Sequence, residues 1–565
     1  MIDTNNNNYK LILVVLAVIF FFIYSFFAIT IWIPGFQQTE QVIFSWPDAM
    51  ANQAFVKQFI EHSNFKISFP DNTLVSQIVH PRSTNVFNDN IVPMSFLGLV
   101  LIYGILGKVV TIYGTLLLTP LFSVFGVLFF YGLIKKVINE RAGFISALLL
   151  FSLSAYWYYS SLVMLHTVLF ISLLLAGMYF LLKSEDFIVD DEYKTQNYIF
   201  VAVGAIFIGL SLIVRTVEAP WILLIILLVS LFARKRWWLK AIIFLVILGI
   251  TFLPVLYQNK QLYGDYFSVG YLNLEKSGTL LDKLPNEFEV EKTNDYFQWV
   301  KAVALPFGWN WKNLLKTGFE YFVMFYGPYL FLSIIGLIWF LVEKEKRKQI
   351  WVYLLAVMLA MIWLVFYYGN WQFADSEILK YNTIGSSYMR YWLPVFIMLI
   401  PGIGFLFDRL LAVKKWQFFL KSIVVVTVIL LTGYSFFWAY LTPKDGLLAQ
   451  KQVLEQNYKR HKQVAGYIED NSILIVDKTD KLFWPKYNVV VFLYDYSIFP
   501  EINQIIDKYP VYYMSVMPDK DIDFINRTKI NQFNLELKAP LIVDNEYRLF
   551  KIEPKGISQN QNDEL

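Results

Sequence analysis

The chain has 565 residues, of which 57% are hydrophobic, 18% aromatic and only 16% charged, far from the balance of a soluble domain. This composition excludes a soluble enzyme and points to a polytopic membrane protein. The net charge of +4 is spread in short basic clusters at the ends of apolar runs, which disfavours a nucleic-acid partner, and the absence of cysteine excludes disulfides and thiolate metal sites.

After the weakly charged start MIDTNNNNYK, an apolar run from Leu11 to about Pro34 is too long for a signal h-region and lacks an A-x-A cleavage site, so it reads as a retained first helix. Spanning takes roughly 20 apolar residues. By that measure further spans fall near 113–134, 142–157, 163–182, 198–214, 219–233, 239–257, 322–342, 350–368, 391–411 and 417–441. The fold class is thus a polytopic α-helical membrane protein with about 11 transmembrane helices. The apolar piece 91–110 carries Pro93 and Gly98 and reads as another span or as an interfacial helix, the second agreeing with the span count and the charge rule. Short loops with Lys135, Lys136 and Arg141, with Arg234 to Arg236, with Lys344 to Lys348 and with Lys414 and Lys415 mark one side as cytoplasmic. The expected location is the plasma membrane, with the N-terminus inside and the segment after 442 outside.

The first outward loop, about 35–112, opens with Trp46-Pro47-Asp48 and the amphipathic run AMANQAFVKQFIEH. Ala51, Phe55 and Phe59 fall on one helical face together with Asp48, predicting a helix on the bilayer surface with its acid at the lipid–water boundary. Two readings of Asp48 are open here: a catalytic acid, or the partner of a Ser45 cap in a Ser45-x-x-Asp48 helix start. The same loop offers His80, Arg82 and Asp89, each also consistent with a polar loop crossing.

Further along, His166 lies just inside a helix after SAYWYYSSLVML, where interhelical hydrogen bonding is its ordinary role. Arg215 and Glu218, three apart in IVRTVEAPW, read either as an interfacial ion pair or as a phosphate contact, with the planar guanidinium fork suited to the anion and Glu218 orienting it. The outward loop GNWQFADSEILKYNTIGSSYMRYWLP brings Asp375, Glu377, Lys380 and Arg390, the last at head-group depth.

This order of features resembles the GT-C superfamily of membrane glycosyltransferases, the one holding protein O-mannosyltransferases and the bacterial enzymes that put aminoarabinose on lipid A. The resemblance runs over residues 10 to 440. It rests on the acid Asp48 in SWPDAMANQAFVKQFIE, the Pro-bearing approach IVPMSFLGLVLIYGILGK, and Arg390-Tyr391-Trp392-Leu393-Pro394 late in the chain. The chain departs from the pattern at Asp48-Ala49, where relatives carry two adjacent acids, and at His166, where they carry an acid near the start of the fourth span. Those departures weaken any metal-site inference.

Beyond 446 the texture changes. ILIVD, VVVFL and VYYMSV read as buried strands among helices, and LELKAPLIVDNEYRLFKIE as a hairpin with Asp544-Asn545 near its turn. No Gly-rich phosphate loop follows these strands, which disfavours nucleotide binding. The expected organisation is a GT-C-like membrane domain at 1–445 with interfacial helices in its first outward loop, a small α/β domain at 446–555 serving a dispensable or acceptor-positioning role, and a disordered tail at 556–565.

The resemblance implies transfer of a sugar from a polyprenyl-phosphate donor to a lipid, glycan or protein acceptor outside the cytoplasm. Asp48 would be the general base, Arg215 and Arg390 the cations for the lipid phosphate, and Lys380, Glu218, His80 and His166 further substrate contacts. No cofactor is expected, and a divalent metal stays open. The alternatives are a transporter or flippase, for which charges at helix centres and repeated halves are lacking, and a ligase or polymerase of lipid-linked glycans, which differs only in acceptor.

Overall fold

The computed structural model describes residues 4–32, 42–184, 195–231, 237–270, 308–342, 348–373 and 383–555. Lys380, Asp375 and Glu377, the cluster 234–236 and the tail 556–565 lie outside them. The chain divides into two compact units, the first made of Met1–Gln37, Tyr113–Val255 and Phe288–Lys451, the second of Gln38–Ile112, Leu256–Glu287 and Gln452–Leu565.

The first unit is a helical bundle. Among the described residues of the whole chain, nine helices are long and apolar enough to cross a membrane, and up to eleven if two bent pairs each count as one span. The spans expected at 142–157 and 322–342 are these bent pairs: Glu140–Ser152 with Ser154–Ser161 at 54°, and Trp311–Phe325 with Gly327–Val342 at 88°. One residue serves both breaks. Tyr326 ends a π-helical turn at the second bend, and its buried hydroxyl meets Ser154 Oγ at 2.9 Å and accepts from the Ala155 N–H at 3.0 Å, just past the extended Leu153 of the first. Backbone groups released by a break inside apolar surroundings need such a partner.

The expected span at 219–233 is a helix of 13 residues, Ala219–Leu231, about 20 Å long and well short of the hydrocarbon thickness. The helix Gly98–Thr115 passes the length and apolarity test, but Thr111 breaks it at φ 67°, ψ 171°. Its unbroken part, 98–110, is about 20 Å long.

In the second unit the strands β4 (473–476), β5 (488–491), β6 (511–515), β7 (535–537), β8 (542–543) and β9 (548–554) form a six-stranded sheet in the order β5-β4-β6-β9-β7, with β8 paired to β9. The parallel strands β4 (Ile473–Val476), β5 (Asn488–Val491) and β6 (Val511–Ser515) are the three apolar runs singled out from the sequence, and β8 (Ile542–Val543) with β9 (Arg548–Pro554) forms the expected hairpin beside β7 (Leu535–Leu537). The segment after the first helix holds the helix Pro47–His62 and a three-stranded sheet of β1 (Ile67–Ser68), β2 (Thr84–Phe87) and β3 (Asn90–Pro93) in the order β1-β3-β2, and forms the first long loop.

The sheet domain is completed by that loop. Phe69, Val75 and Val79 are buried in one core with Ile473, Val490, Phe492, Phe499 and Ile502, and Val79 and His80 form isolated bridges to Val490. The apolar face of Pro47–His62 is covered by protein and not, as its pattern suggested, by lipid. Phe55 lies 5.8 Å from the Trp484 ring, Phe59 stacks on Phe65, and a side chain at Gly104 would collide with Phe59. Periodicity identifies an apolar face without identifying what covers it.

Phe69→Ala should therefore act at a distance in sequence, costing about 3–5 kcal/mol. Limited proteolysis is expected to cut beyond residue 452 faster in this variant, and unchanged cleavage there would mean that the two segments fold separately.

Candidate functional site

Asp48 stands in the first turn of Pro47–His62, half-buried. The capping reading is not met. Trp46 is the N-cap without a side-chain cap bond, Pro47 follows it, and Ser45 Oγ has no hydrogen-bond partner among the described residues. Asp48 instead accepts a 2.6 Å bond at Oδ1 from the Ser83 hydroxyl. Ser83 holds φ at 62°, a left-handed conformation that L residues adopt only when their surroundings enforce it.

What enforces it is visible on both sides. Arg82 donates to Asp480 from its backbone N–H and its Nε, each at 2.9 Å, and from Nη2 at 2.6 Å, while Nη2 also reaches the Lys478 carbonyl. Thr84 Oγ1 donates to the Pro81 carbonyl. Asp480 is fully buried, and next to it Lys481 Nζ donates to the carbonyl of Ser45, at the start of the Asp48 helix. Burial, and then the nearby Arg82, lower the Lys481 pKa to about 8.

His80, expected as a substrate contact, is buried, with Nδ1 set against the Pro81 carbonyl at 2.9 Å and Thr84 Oγ1 at 3.3 Å. Burial lowers its pKa below the ordinary value, so the ring is neutral at pH 7. Its geometry is that of a turn-holding residue. Asp89 accepts from the Thr73 N–H and supports the same loop.

In the membrane unit, the structure brings Arg215, Glu218 and Arg390 together. Arg215 and Glu218 pair at 2.7 Å with side chains 5% and 1% exposed, far more buried than a snorkelling interfacial pair. Glu218 also accepts from Tyr368 Oη at 2.8 Å and Trp221 Nε1 at 2.6 Å, and Arg215 Nη2 donates to Tyr368 Oη at 3.0 Å. Arg215 Nη1 is buried without a hydrogen-bond partner among the described residues. The Tyr391 ring joins the two arginines: the Arg215 and Arg390 guanidinium carbons lie 4.7 and 4.8 Å from its centroid, and Arg390 Nη2 donates to its hydroxyl. Tyr391 stacks on Tyr368 in turn.

The helix Ser387–Ala412 that carries Arg390 and Tyr391 is capped by Ser386, and the turn before it is fixed by Tyr159 Oη, 3.1 Å from the Ile384 and Ser386 carbonyls, and by Asp445, which accepts from the Gly385 N–H. His166 opens the helix His166–Ser184, as its sequence context suggested. An apolar cavity of about 110 Å³ lies among the helices beside Trp221, lined also by Leu133, Leu174, Val357 and Ile397. Among the described residues, no three His, Cys, Asp or Glu side chains are grouped as a metal site would need.

Sequence reasoning missed Tyr368, the Tyr391 ring, Ser83, Asp480 and Lys481. Tyr391 was within the Arg390-Tyr391-x-x-Pro394 signal, but stacking cannot be read from spacing, and nothing local marks Asp480, whose partner is almost 400 residues earlier.

No protein-family model and no curated protein sequence matches the chain. Solved structures do. Over 97% of this chain and 98% of the other, the fold matches ArnT from Cupriavidus metallidurans in the apo state, with a TM-score of 0.57 and 10% identity. Over 88% of this chain and 69% of the other, it matches the oligosaccharyltransferase AglB from Archaeoglobus fulgidus, in complex with an inhibitory peptide and a dolichol-phosphate, with a TM-score of 0.55 and 13% identity. Both are membrane glycosyltransferases of the GT-C superfamily, and at these identities the likeness is one of fold. The protein is a multi-pass membrane protein with the GT-C fold.

Glu218→Gln removes the charge that compensates Arg215 and should destabilise the membrane unit by about 3–5 kcal/mol. Tyr368→Phe deletes one bridging hydroxyl and should cost about 1–3 kcal/mol. Thermal melting in detergent, with Glu218→Gln melting below Tyr368→Phe and both below wild type, checks the network.

Proposed function

We propose that the protein transfers a sugar from a polyprenyl-phosphate carrier to an acceptor at the extracytoplasmic face of the plasma membrane, with Asp48 as general base. The observation that carries this reading is the full-length likeness to the GT-C fold combined with a half-buried acid, Asp48, at the head of the first-loop helix. A base on a membrane-attached loop needs access to the acceptor and a fixed carboxylate, and the Ser83 hydroxyl bond supplies the second. The AglB structure contains a dolichol-phosphate, which supports a lipid-phosphate carrier for the donor here.

In this reading, Asp48 takes the acceptor hydroxyl proton as the acceptor oxygen bonds to the sugar anomeric carbon. The bond from that carbon to the phosphate oxygen breaks, and the electron pair leaves with the lipid phosphate. Arg215 and Arg390 meet the charge that develops on the leaving phosphate, in surroundings where fixed donors act strongly. The apolar cavity beside Trp221 suits an isoprenoid chain. Lys380 is a further candidate cation, and the acceptor is a lipid, glycan or protein hydroxyl.

Asp48→Asn should keep expression and binding of undecaprenyl phosphate while losing about a hundredfold to ten-thousandfold in transfer rate. Ser45→Ala should be silent, because among the described residues the Ser45 hydroxyl has no partner and its carbonyl alone is engaged by Lys481. Near-normal transfer by Asp48→Asn would remove Asp48 from the chemistry. For orientation, a cysteine introduced as Val543→Cys, at a site 66% exposed, should react with an impermeant maleimide in intact cells. Reaction only after permeabilisation would invert the proposed topology.

A further inference from the structure

The Asp48 carboxylate is held by a chain of contacts that begins in the sheet domain. Asp480 takes three donors from Arg82, the adjoining Ser83 is fixed at φ 62° and gives its hydroxyl to Asp48 Oδ1, and Lys481 holds the Ser45 carbonyl from which the Asp48 helix starts. Two neighbouring residues of one short 3₁₀ turn, Asp480–Leu482, thus reach both ends of the Asp48 setting. The packing agrees with the polar contacts, since Trp484 of the same segment lies against Phe55 of the Asp48 helix.

We propose that Asp480 is a positioning residue for Asp48: by locking Arg82 it imposes the strained Ser83 turn whose hydroxyl orients the carboxylate, with Lys481 fixing the helix start. The sheet domain is then part of the reaction apparatus and not a dispensable appendage. This assignment rests on Asp48 being the base, although the positioning itself is measurable without any reaction.

Ser83 contributes a hydrogen bond that restricts the rotation of the carboxylate. A left-handed serine relaxes readily once its neighbours release it, so the orientation depends on Arg82 staying in place. Arg82 can hold the turn because its guanidinium fork and its own N–H converge on a single buried carboxylate, a geometry that a point charge cannot reproduce.

The chain has no cysteine, which allows a direct test. In full-length protein carrying Asp48→Cys with Ser83→Cys, mild oxidation should form an intramolecular disulfide, read by mass spectrometry of the linked peptides. Adding Asp480→Asn should slow that cross-link about tenfold or more, and adding Arg82→Lys should do the same if the asparagine variant does not fold. Equal rates in the parent and in whichever variants fold would overturn the proposal. A second readout ties the positioning to turnover with a polyprenyl-phosphate-linked sugar: Asp480→Asn should lower kcat with little change in donor KM, and should add no further loss to Asp48→Asn. Additive losses would contradict action through Asp48. If Asp48→Asn proves active while the cross-link still depends on Asp480, the base assignment fails and the positioning stands.

Discussion

The carboxylate of Asp480 has no exposed surface, and burying such a charge is tolerable only when it is paired and fully hydrogen-bonded. Arg82 meets that demand with three donors on the two oxygens, and much of the second unit's polar architecture follows. The pair fixes the turn at Ser83, the turn presents a hydroxyl to Asp48, and the loop between β1 and β2 sends Phe69, Val75 and Val79 into the core of the sheet. Removing one partner would leave a buried charge uncompensated, which costs about 3–5 kcal/mol in comparable settings. The ion pair adds specificity to a segment whose affinity for the sheet is hydrophobic.

The membrane unit solves a related problem with aromatic rings. Arg215 is desolvated, and its charge is balanced by Glu218, bridged by Tyr368 Oη, and laid on the face of Tyr391. Arg390 shares that ring, so two guanidinium groups are held close together despite their mutual repulsion. One aromatic face thus carries both guanidinium groups in surroundings of low dielectric. The Asp445 and Tyr159 contacts fix the turn before Arg390 and hold it at that ring.

Much of this was legible in the sequence, and the remainder was hidden for physical reasons. Apolar length identified most of the helices, and three apolar runs identified the parallel strands, because both signals are local. The bends at Leu153 and Tyr326 were not visible, since nothing local marks the meeting of the Tyr326 hydroxyl with Ser154 and the Ala155 N–H past the first bend. Ser45 looked like a cap by spacing, yet Pro47 starts the helix and the Ser45 hydroxyl has no partner among the described residues. The pairing of Arg215 with Glu218 was readable from i, i+3 spacing, whereas its burial and its meeting with Arg390 were not. His80 kept the right loop but turned inward, because its backbone joins Val490.

A base acting without a covalent glycosyl intermediate makes a stereochemical demand that no rearrangement of the surrounding residues alters. The most direct measurement is the anomeric configuration of the product, read by proton NMR coupling constants after transfer from a polyprenyl-phosphate sugar of defined anomer. The account predicts inversion at the anomeric carbon. Retention would contradict it, since the sugar would then have passed through a covalent or doubly displaced state that Asp48 as a general base does not provide.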